Sequence, residues 1–316
     1  MVQIETEMIT NAERNVSLKE RTWIHRGGIV GTWIRPCSLE ELENVAAYLY
    51  DNKASFLTIG HTSNIYFKNS FNIDYIVDIR NLKKIDEKEN DLIVCECGTP
   101  MKNLAHYCIE HGYAGYEGFI DLPGTVAGAV VNNSGCFGSS IKKVLRGIDI
   151  VMSDGIKHLK TADLLYSFRT SALKEGLIKG CITKVYFDTS NKVSVDELQQ
   201  RANQFHKQRV LTQDSPARNL GSTVNMSGDV RGVRGLLIKV IRRIMIYLKL
   251  YPRFTEIFPG LVCLLYFKPF VAKYISKRNL NCFIWKDDGA DKAFPKYMHI
   301  IKHLYKNIST EIQIFE

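Results

Sequence analysis

The stretch from Gly115 to Gly138, GYEGFIDLPGTVAGAVVNNSGCFG, places the tightest limit on what this chain can fold into. Glycines at 124, 128, 135 and 138 alternate with the apolar side chains of Phe119, Ile120, Leu122, Val126, Ala129, Val130 and Val131. A flexible linker has no use for that apolar content. Glycine lets a backbone approach a ligand closely and adopt positive φ, and the N–H groups of such turns form anion-binding concavities. The segment therefore suits a phosphate-bearing ligand. On glycine spacing alone it suits a tight βα turn inside a core equally well.

The length of 316 residues leaves room for two or three domains with real cores, and a hydrophobic content of 45% is a globular value. The opening MVQIETEMITNAERN has no apolar core segment, so no signal peptide is expected. Eight cysteines are scattered without a C-x-x-C pair. That usage points to a reducing cytoplasm and to neither a disulfide framework nor a metal site. The net charge of +9 is local: residues 231–278 carry eleven Lys/Arg and one acid, Glu256, while the rest of the chain sums to −1. A general nucleic-acid binder is thereby disfavoured, and a local anionic partner is indicated.

SLEELENVAAYLYDNK predicts a helix capped by Ser38, with Glu41 completing a capping box and Leu42, Val45, Ala46 and Leu49 on its inner face. SFLTIGHTSNIYF predicts strand, turn, strand, and DYIVDIRNL and DLIVCECG predict further strands. MKNLAHYCIEHG predicts a short helix, and VLRGIDIVMSDGIKHLKT a hairpin turning at Ser153-Asp154-Gly155. VSVDELQQRANQFHKQR predicts a helix up to Arg209, and the chain closes with a helix-like run and an ISTEIQIF strand. After Gly235 the character changes. LLIKVIRRIMIYLKL sets Leu237, Val240, Ile241, Ile244 and Leu248 on one helical face and Lys239, Arg242, Arg243 and Lys249 on the other, with Pro252 as the stop. IFPGLVCLLYF, which follows, is too short to span a bilayer.

Four segments carry candidate chemistry. In LTIGHTSNIYF, a strand ends at Gly60 and is followed by His61, Thr62, Ser63 and Asn64, whose N–H and hydroxyl groups suit a pyrophosphate; an ordinary turn has the same composition. SFRTS sets Arg169 beside hydroxyls, where a guanidinium can hold a carboxylate. In RVLTQDSPARNLGST, Gly221 exposes Ser222, with no Ser-His-Asp arrangement beside it. EIQIFE puts Glu311 on a strand.

Taken together these segments resemble the UDP-N-acetylenolpyruvoylglucosamine reductase family. Its long ungapped pattern G-x-E-x-x-x-G/D-I/L-P-G-T-V-x-G-A-x-x-x-N-x-G-x-x-G matches from Gly115. Gly60, Ser63 and Asn64 match its G-G-G-S-N phosphate loop, with His61 and Thr62 in place of glycines. TWIHRGG is similar to its T-x-R-V-G-G motif, and Arg169 and Ser171 match Y-R-x-S with Phe168 replacing the tyrosine. Arg209, Gln213, Gly221 and Ser222 match the run to its catalytic serine, after which TVNM lacks the family lysine. EIQIFE resembles the family terminus, and NCFIWKDDGADKAF resembles N-F-I-V-N-x-x-x-A-T-A imperfectly. The resemblance fails between about Met226 and Arg278, in the basic segment.

The resemblance implies an α+β, two-part FAD-binding fold of the PCMH (vanillyl-alcohol-oxidase-like) type with a smaller, divergent C-terminal substrate domain. The expected divisions are 1–82 and 83–206 for the two FAD-binding parts, 207–300 for the substrate domain, and 301–316 for a return segment carrying Glu311. It implies noncovalent FAD held by Gly60, His61, Thr62, Ser63, Asn64, Pro123, Gly124, Thr125, Gly128, Asn133 and Arg209. NADPH is the implied hydride donor and an enolpyruvyl sugar nucleotide the substrate. Ser222 becomes the acid, and Arg169 and Glu311 the enolate stabilisers, in a cytoplasmic monomer making peptidoglycan precursor. Two other readings stay open. One is a paralogous flavoprotein acting on another sugar nucleotide or on a membrane-associated glycan precursor. The other is a flavin-binding docking protein without turnover. For residues 235–278 the expectation is contact with an anionic surface, at the inner face of the membrane, in place of the family's substrate lid.

Overall fold

The computed structural model describes residues 11–214, 218–225, 229–247 and 257–316. The chain divides into two compact units. The first comprises 1–18, 28–62 and 70–208, and the second comprises 19–27, 63–69 and 209–316.

The first unit holds two sheets. Strands β1 (Ala12–Ser17), β2 (Ile29–Ile34), β3 (Phe56–Ile59) and β4 (Asn72–Asp78) form one, in the order β1-β2-β4-β3. β4 runs parallel to both β2 and β3, which requires crossovers, and helix α1 (Leu39–Asp51) supplies one. Ser38 caps α1 by accepting from the Glu41 N–H, and Leu42, Val45, Ala46 and Leu49 are buried as the periodicity requires. The second sheet is antiparallel. Its strands are β5 (Ile85–Lys88), β6 (Leu92–Glu96), β7 (Leu145–Met152), β8 (Gly155–Lys160) and β9 (Cys181–Asp188), in the order β8-β7-β9-β6-β5. β7 and β8 form the expected hairpin, with Met152 opposite Gly155. One core joins both sheets to α1, α2 (Met101–Glu110) and α3 (Val126–Asn132); Leu49, Ile93, Leu104, Val130 and Ile148 all belong to it. Helix α4 (Val195–Thr212) continues three residues past the expected end at Arg209.

The second unit is built around aromatic side chains. Phe283 lies edge-on to Trp285, Phe294 packs on both, and Tyr297 and Tyr274 are fully buried beside them. Its strands are short. β10 (Asn219–Ser222) pairs with β12 (Cys282–Ile284), and β11 (Val224–Asn225) pairs with β13 (Ser309–Thr310). β14 (Gln313–Phe315) lies parallel to Ile65–Phe67. The single strand expected over ISTEIQIF is therefore two, because the chain changes partner at Glu311: antiparallel to Val224–Asn225 before it, parallel to Ile65–Phe67 after it.

Three helices complete the unit: α5 (Gly232–Tyr247), α6 (Phe258–Leu265) and α7 (Gly289–Leu304). α5 carries the apolar stripe expected for the basic segment and a second one beside it. Its buried positions are Gly235 and Ile238, with Ile241 and Met245 half-buried, while Leu237, Val240 and Ile244 face outward. The helix has two apolar stripes, and the expected one is not the one that packs, apart from Ile241. Leu248, Lys249 and Pro252 lie outside the described residues. No described helix is long and apolar enough to cross a membrane.

Candidate functional site

In the first unit, folding brings two of the glycine-bearing turns together. β3 ends at Ile59, and Gly60 then passes so close to Thr125 that a Cβ at Gly60 would stand 2.4 Å from the Thr125 Oγ1. Thr125 cannot easily yield. It is buried, and its hydroxyl caps α3 by accepting from the Gly128 N–H at 3.2 Å. Gly124, before it, sits at φ 118°, and its carbonyl accepts from the Met101 N–H at 3.0 Å. Thr62 is buried at φ 54°, a left-handed conformation, which accounts for glycine being the easier residue at this turn.

Gly60→Ala is thus expected to displace the loop from Thr125. Overpacking of this kind costs about 1–3 kcal/mol. The measurement is FAD retention during purification, with Gly60→Ala/Thr125→Ala expected to recover part of it. Full retention in Gly60→Ala alone would separate this contact from cofactor binding.

His61 half-emerges beside this turn. Burial lowers its imidazole pKa, with the nearby Arg80 guanidinium acting in the same direction, so the ring is held neutral at neutral pH. Beneath it is a cluster that was not among the expected site residues. Asp78, fully buried, is in register with Ile59 at the end of β4. Its carboxylate accepts from the Arg80 Nε at 2.8 Å, the Arg80 Nη2 at 2.7 Å and the Arg35 Nε at 2.9 Å. Arg80 is held charged, its pKa raised above the ordinary value by the hydrogen bond to Asp78. The D-I-R spacing, with Asp78 capping a short 3-10 turn, was the available signal.

Asn133 closes α3 at φ 43°; its amide donates to the Ser167 carbonyl at 2.7 Å and its Oδ1 accepts from the Lys142 N–H. Arg169, half-buried at φ 59°, follows the exposed Phe168, with the guanidinium 5.7 Å from that ring's centroid. Ser171 is buried, donating to the Val131 carbonyl at 2.6 Å and capping the Lys174 N–H. Pro123 is exposed.

In the second unit, Asn64, Ser222 and Glu311 come together through backbone. The Glu311 N–H donates to the Thr223 carbonyl at 2.9 Å, one residue beyond Ser222. The Glu311 carbonyl accepts from the Asn64 amide at 3.3 Å, and the Gln313 N–H donates to the Asn64 carbonyl at 2.9 Å. Ser63 is half-buried beside Asn64. Ser222 is half-buried opposite Cys282, after Gly221 at φ 73°. Arg209 is buried at the start of this unit, its Nη1 donating to the Gln213 Oε1 at 3.0 Å.

Asn281 fixes the strand that carries Ser222. Its Oδ1 accepts from the Val224 N–H and the Thr223 hydroxyl, and its Nδ2 donates to the Val224 carbonyl at 2.7 Å. Its carbonyl accepts from the Thr223 N–H at 2.9 Å. Asn281→Ala orphans buried backbone groups, each costing about 1–3 kcal/mol. It is expected to lower the thermal midpoint of the second unit while leaving FAD content unchanged; loss of both together would place Asn281's role elsewhere.

The arrangement in the first unit fits a phosphate-bearing cofactor: small side chains, backbone in close approach, and a cradle that a Cβ would fill. Comparison with known proteins agrees. Residues 32–160 match the FAD binding domain family model. The chain is 30% identical over 161 residues to the UDP-N-acetylenolpyruvoylglucosamine reductase of Anaplasma marginale (strain St. Maries), covering 51% of this chain and 53% of that one. It is 29% identical over 238 residues to the enzyme of the same name from Rickettsia akari (strain Hartford), covering 72% and 78%.

The chain is similar to the UDP-N-acetylenolpyruvoylglucosamine reductases.

The match spans about half the length of the first of these curated relatives. The fold agrees over more of the chain. The crystal structure of the UDP-N-acetylenolpyruvylglucosamine reductase from Thermus caldophilus superposes with a TM-score of 0.69 at 16% identity, covering 97% of this chain and 99% of that one. The α+β, PCMH-type FAD-binding fold expected from the sequence is the fold observed.

Proposed function

We propose that the chain is an FAD-dependent oxidoreductase that reduces UDP-N-acetylglucosamine enolpyruvate to UDP-N-acetylmuramate, with NADPH as the electron donor. The observation that carries this reading is the backbone linkage that ties Glu311 to Thr223, beside Ser222, in the second unit. Bound FAD would supply two-electron chemistry, taking a hydride from NADPH and passing it to the enolpyruvyl β-carbon.

Gly60, His61, Thr62, Pro123, Gly124, Thr125, Gly128 and Asn133 would hold the cofactor in the first unit. The rest is the work of side chains. Hydride addition at the β-carbon leaves an electron pair on the α-carbon as a carboxylate-stabilised enolate. Ser222 gives its hydroxyl proton to that carbon and is reprotonated from solvent. Arg169 neutralises the carboxylate, and charge fixed in advance at a developing enolate is the largest source of rate in such sites. To serve the same enolate Glu311 must carry its proton and donate it as a hydrogen bond; an ionised carboxylate there would oppose the charge.

The chain acts as a cytoplasmic monomer in this reading. The deciding experiment reduces the purified protein with NADPH without oxygen and then adds UDP-N-acetylglucosamine enolpyruvate. Stoichiometric reoxidation of the flavin is the expected result. A flavoprotein that is reduced but stays reduced would favour the paralogue acting on a different sugar nucleotide. The feature that keeps this second reading in view is Asn225, which stands in the Thr223-Val224-Asn225 run where the family has its lysine.

A further inference from the structure

Helix α5 has an apolar face that stands exposed among the described residues. One stripe, around Ile238, Ile241 and Met245, packs inward. At about 100° per residue a neighbouring, outward-facing stripe carries Val233, Leu237, Val240, Ile244 and Tyr247, spaced by four, three, four and three residues. Leu237 is 44% exposed, Val240 43%, Ile244 50% and Tyr247 86%. Surface helices ordinarily show a polar outer face. Here the outer face is apolar, and the flank is basic: Lys239 and Arg243, both exposed, run along one side of the stripe.

A second feature extends the surface from a different element. Phe267, just after α6, is 80% exposed and holds a left-handed backbone at φ 56°, a conformation costly for a bulky residue. The Arg234 guanidinium of α5 lies 5.6 Å from the Phe267 ring centroid and 5.4 Å from that of Tyr266. Arg234 thus joins the presented aromatic to the first turn of α5, the helix that carries the outer stripe.

From these features we infer that α5 and Phe267 dock on an anionic lipid bilayer surface. Charge selects this occupant. Residues 231–278 carry eleven basic side chains and one acidic one. A second copy of the same face would bring Lys239 and Arg243 against their own kind. An anionic bilayer complements them, while its acyl boundary accepts the apolar stripe and the aromatic ring. The helix, 16 residues long and interrupted by Lys239, Arg242 and Arg243, lies along such a surface and does not cross it. The inference is independent of the reductase chemistry, because it uses no residue assigned to cofactor or substrate.

The test is co-sedimentation of the full chain with vesicles of phosphatidylcholine alone and of phosphatidylcholine with an equal part of phosphatidylglycerol. The chain is expected to pellet with the anionic vesicles only. Lys239→Glu/Arg243→Glu should weaken that partitioning by at least about 25-fold, from about fivefold per basic side chain near an anionic surface. Leu237→Asn/Ile244→Asn should weaken it too, which adsorption by charge alone would not show. All four positions are exposed, and unchanged circular dichroism and FAD content will confirm that the variants fold. Equal pelleting with both vesicle types, or negligible pelleting with both, overturns the inference. So does concentration-dependent self-association without vesicles that Leu237→Asn/Ile244→Asn abolishes, which would assign the face to a second copy of the chain.

Discussion

Ser222→Ala is expected to slow substrate-dependent reoxidation of the reduced flavin by about 10²–10⁴-fold, the usual cost of losing a general acid, while flavin reduction by NADPH keeps its wild-type rate. The separation follows from placement. Ser222 lies in the second unit, on β10, opposite Cys282 and one residue from the Thr223 carbonyl that receives the Glu311 N–H. The Gly60–Thr125 contact lies in the first unit and is untouched by the change. The hydroxyl is small and half-buried, so its loss leaves no large cavity. Glu311→Gln and Arg169→Ala should act on the same half-reaction. Stopped-flow traces decide the matter: reoxidation of Ser222→Ala at the wild-type rate by the enolpyruvyl substrate would remove Ser222 from the chemistry.

Asp78→Ala is expected to destabilise the first unit by about 3 kcal/mol. Removing one member of a buried ion cluster costs about 3–5 kcal/mol, because the partners keep their charge and lose its complement. The low end applies here. Arg35 and Arg80 are 30% and 28% exposed and can rehydrate, whereas Asp78 itself is fully enclosed. For a unit of this size the thermal midpoint should fall by roughly 6–12 °C. Asp78→Asn keeps the shape but sets an amide N–H against a guanidinium, and should fall between wild type and alanine. Since Asp78 is in register with Ile59, the residue before Gly60, FAD should be released at a correspondingly lower temperature. Flavin fluorescence on heating reports both events, and a midpoint unchanged within about a degree would show that water replaces the carboxylate without loss.

What could be read in the sequence was whatever near neighbours decide. The Ser38 cap, the inner face of α1 and the turn at Ser153-Asp154-Gly155 each depend on residues a few positions apart, and each is found as expected. The glycine-rich run from Gly115 was legible because its order is long and ungapped. The contact that gives it meaning was not: Gly60 and Thr125 are far apart in the chain, and nothing near either one names the other. Asp78 and Asn281 escaped for the same reason. A buried polar side chain looks like a surface one until its partners are known, and those of Asn281 are more than fifty residues away. Helix α5 shows a different limit. Periodicity found an apolar face containing Leu237, Val240 and Ile244, but the helix has two, and only the tertiary structure shows that Ile238 is the one covered.

The pairing of Gln313–Phe315 with Ile65–Phe67 has a consequence for how the protein is born. A ribosome that has made Ile65–Phe67 must add about 250 further residues before the partner strand exists, a wait of roughly 12–50 s at ordinary elongation rates. The segments of the first unit can settle in that interval. The early strand of the second cannot, and it stays an open edge until synthesis reaches the last strand. A message cut short or a stalled ribosome would therefore release a chain with a finished FAD-binding core and an unpaired strand. Such an unpaired edge is a ready template for pairing with another chain.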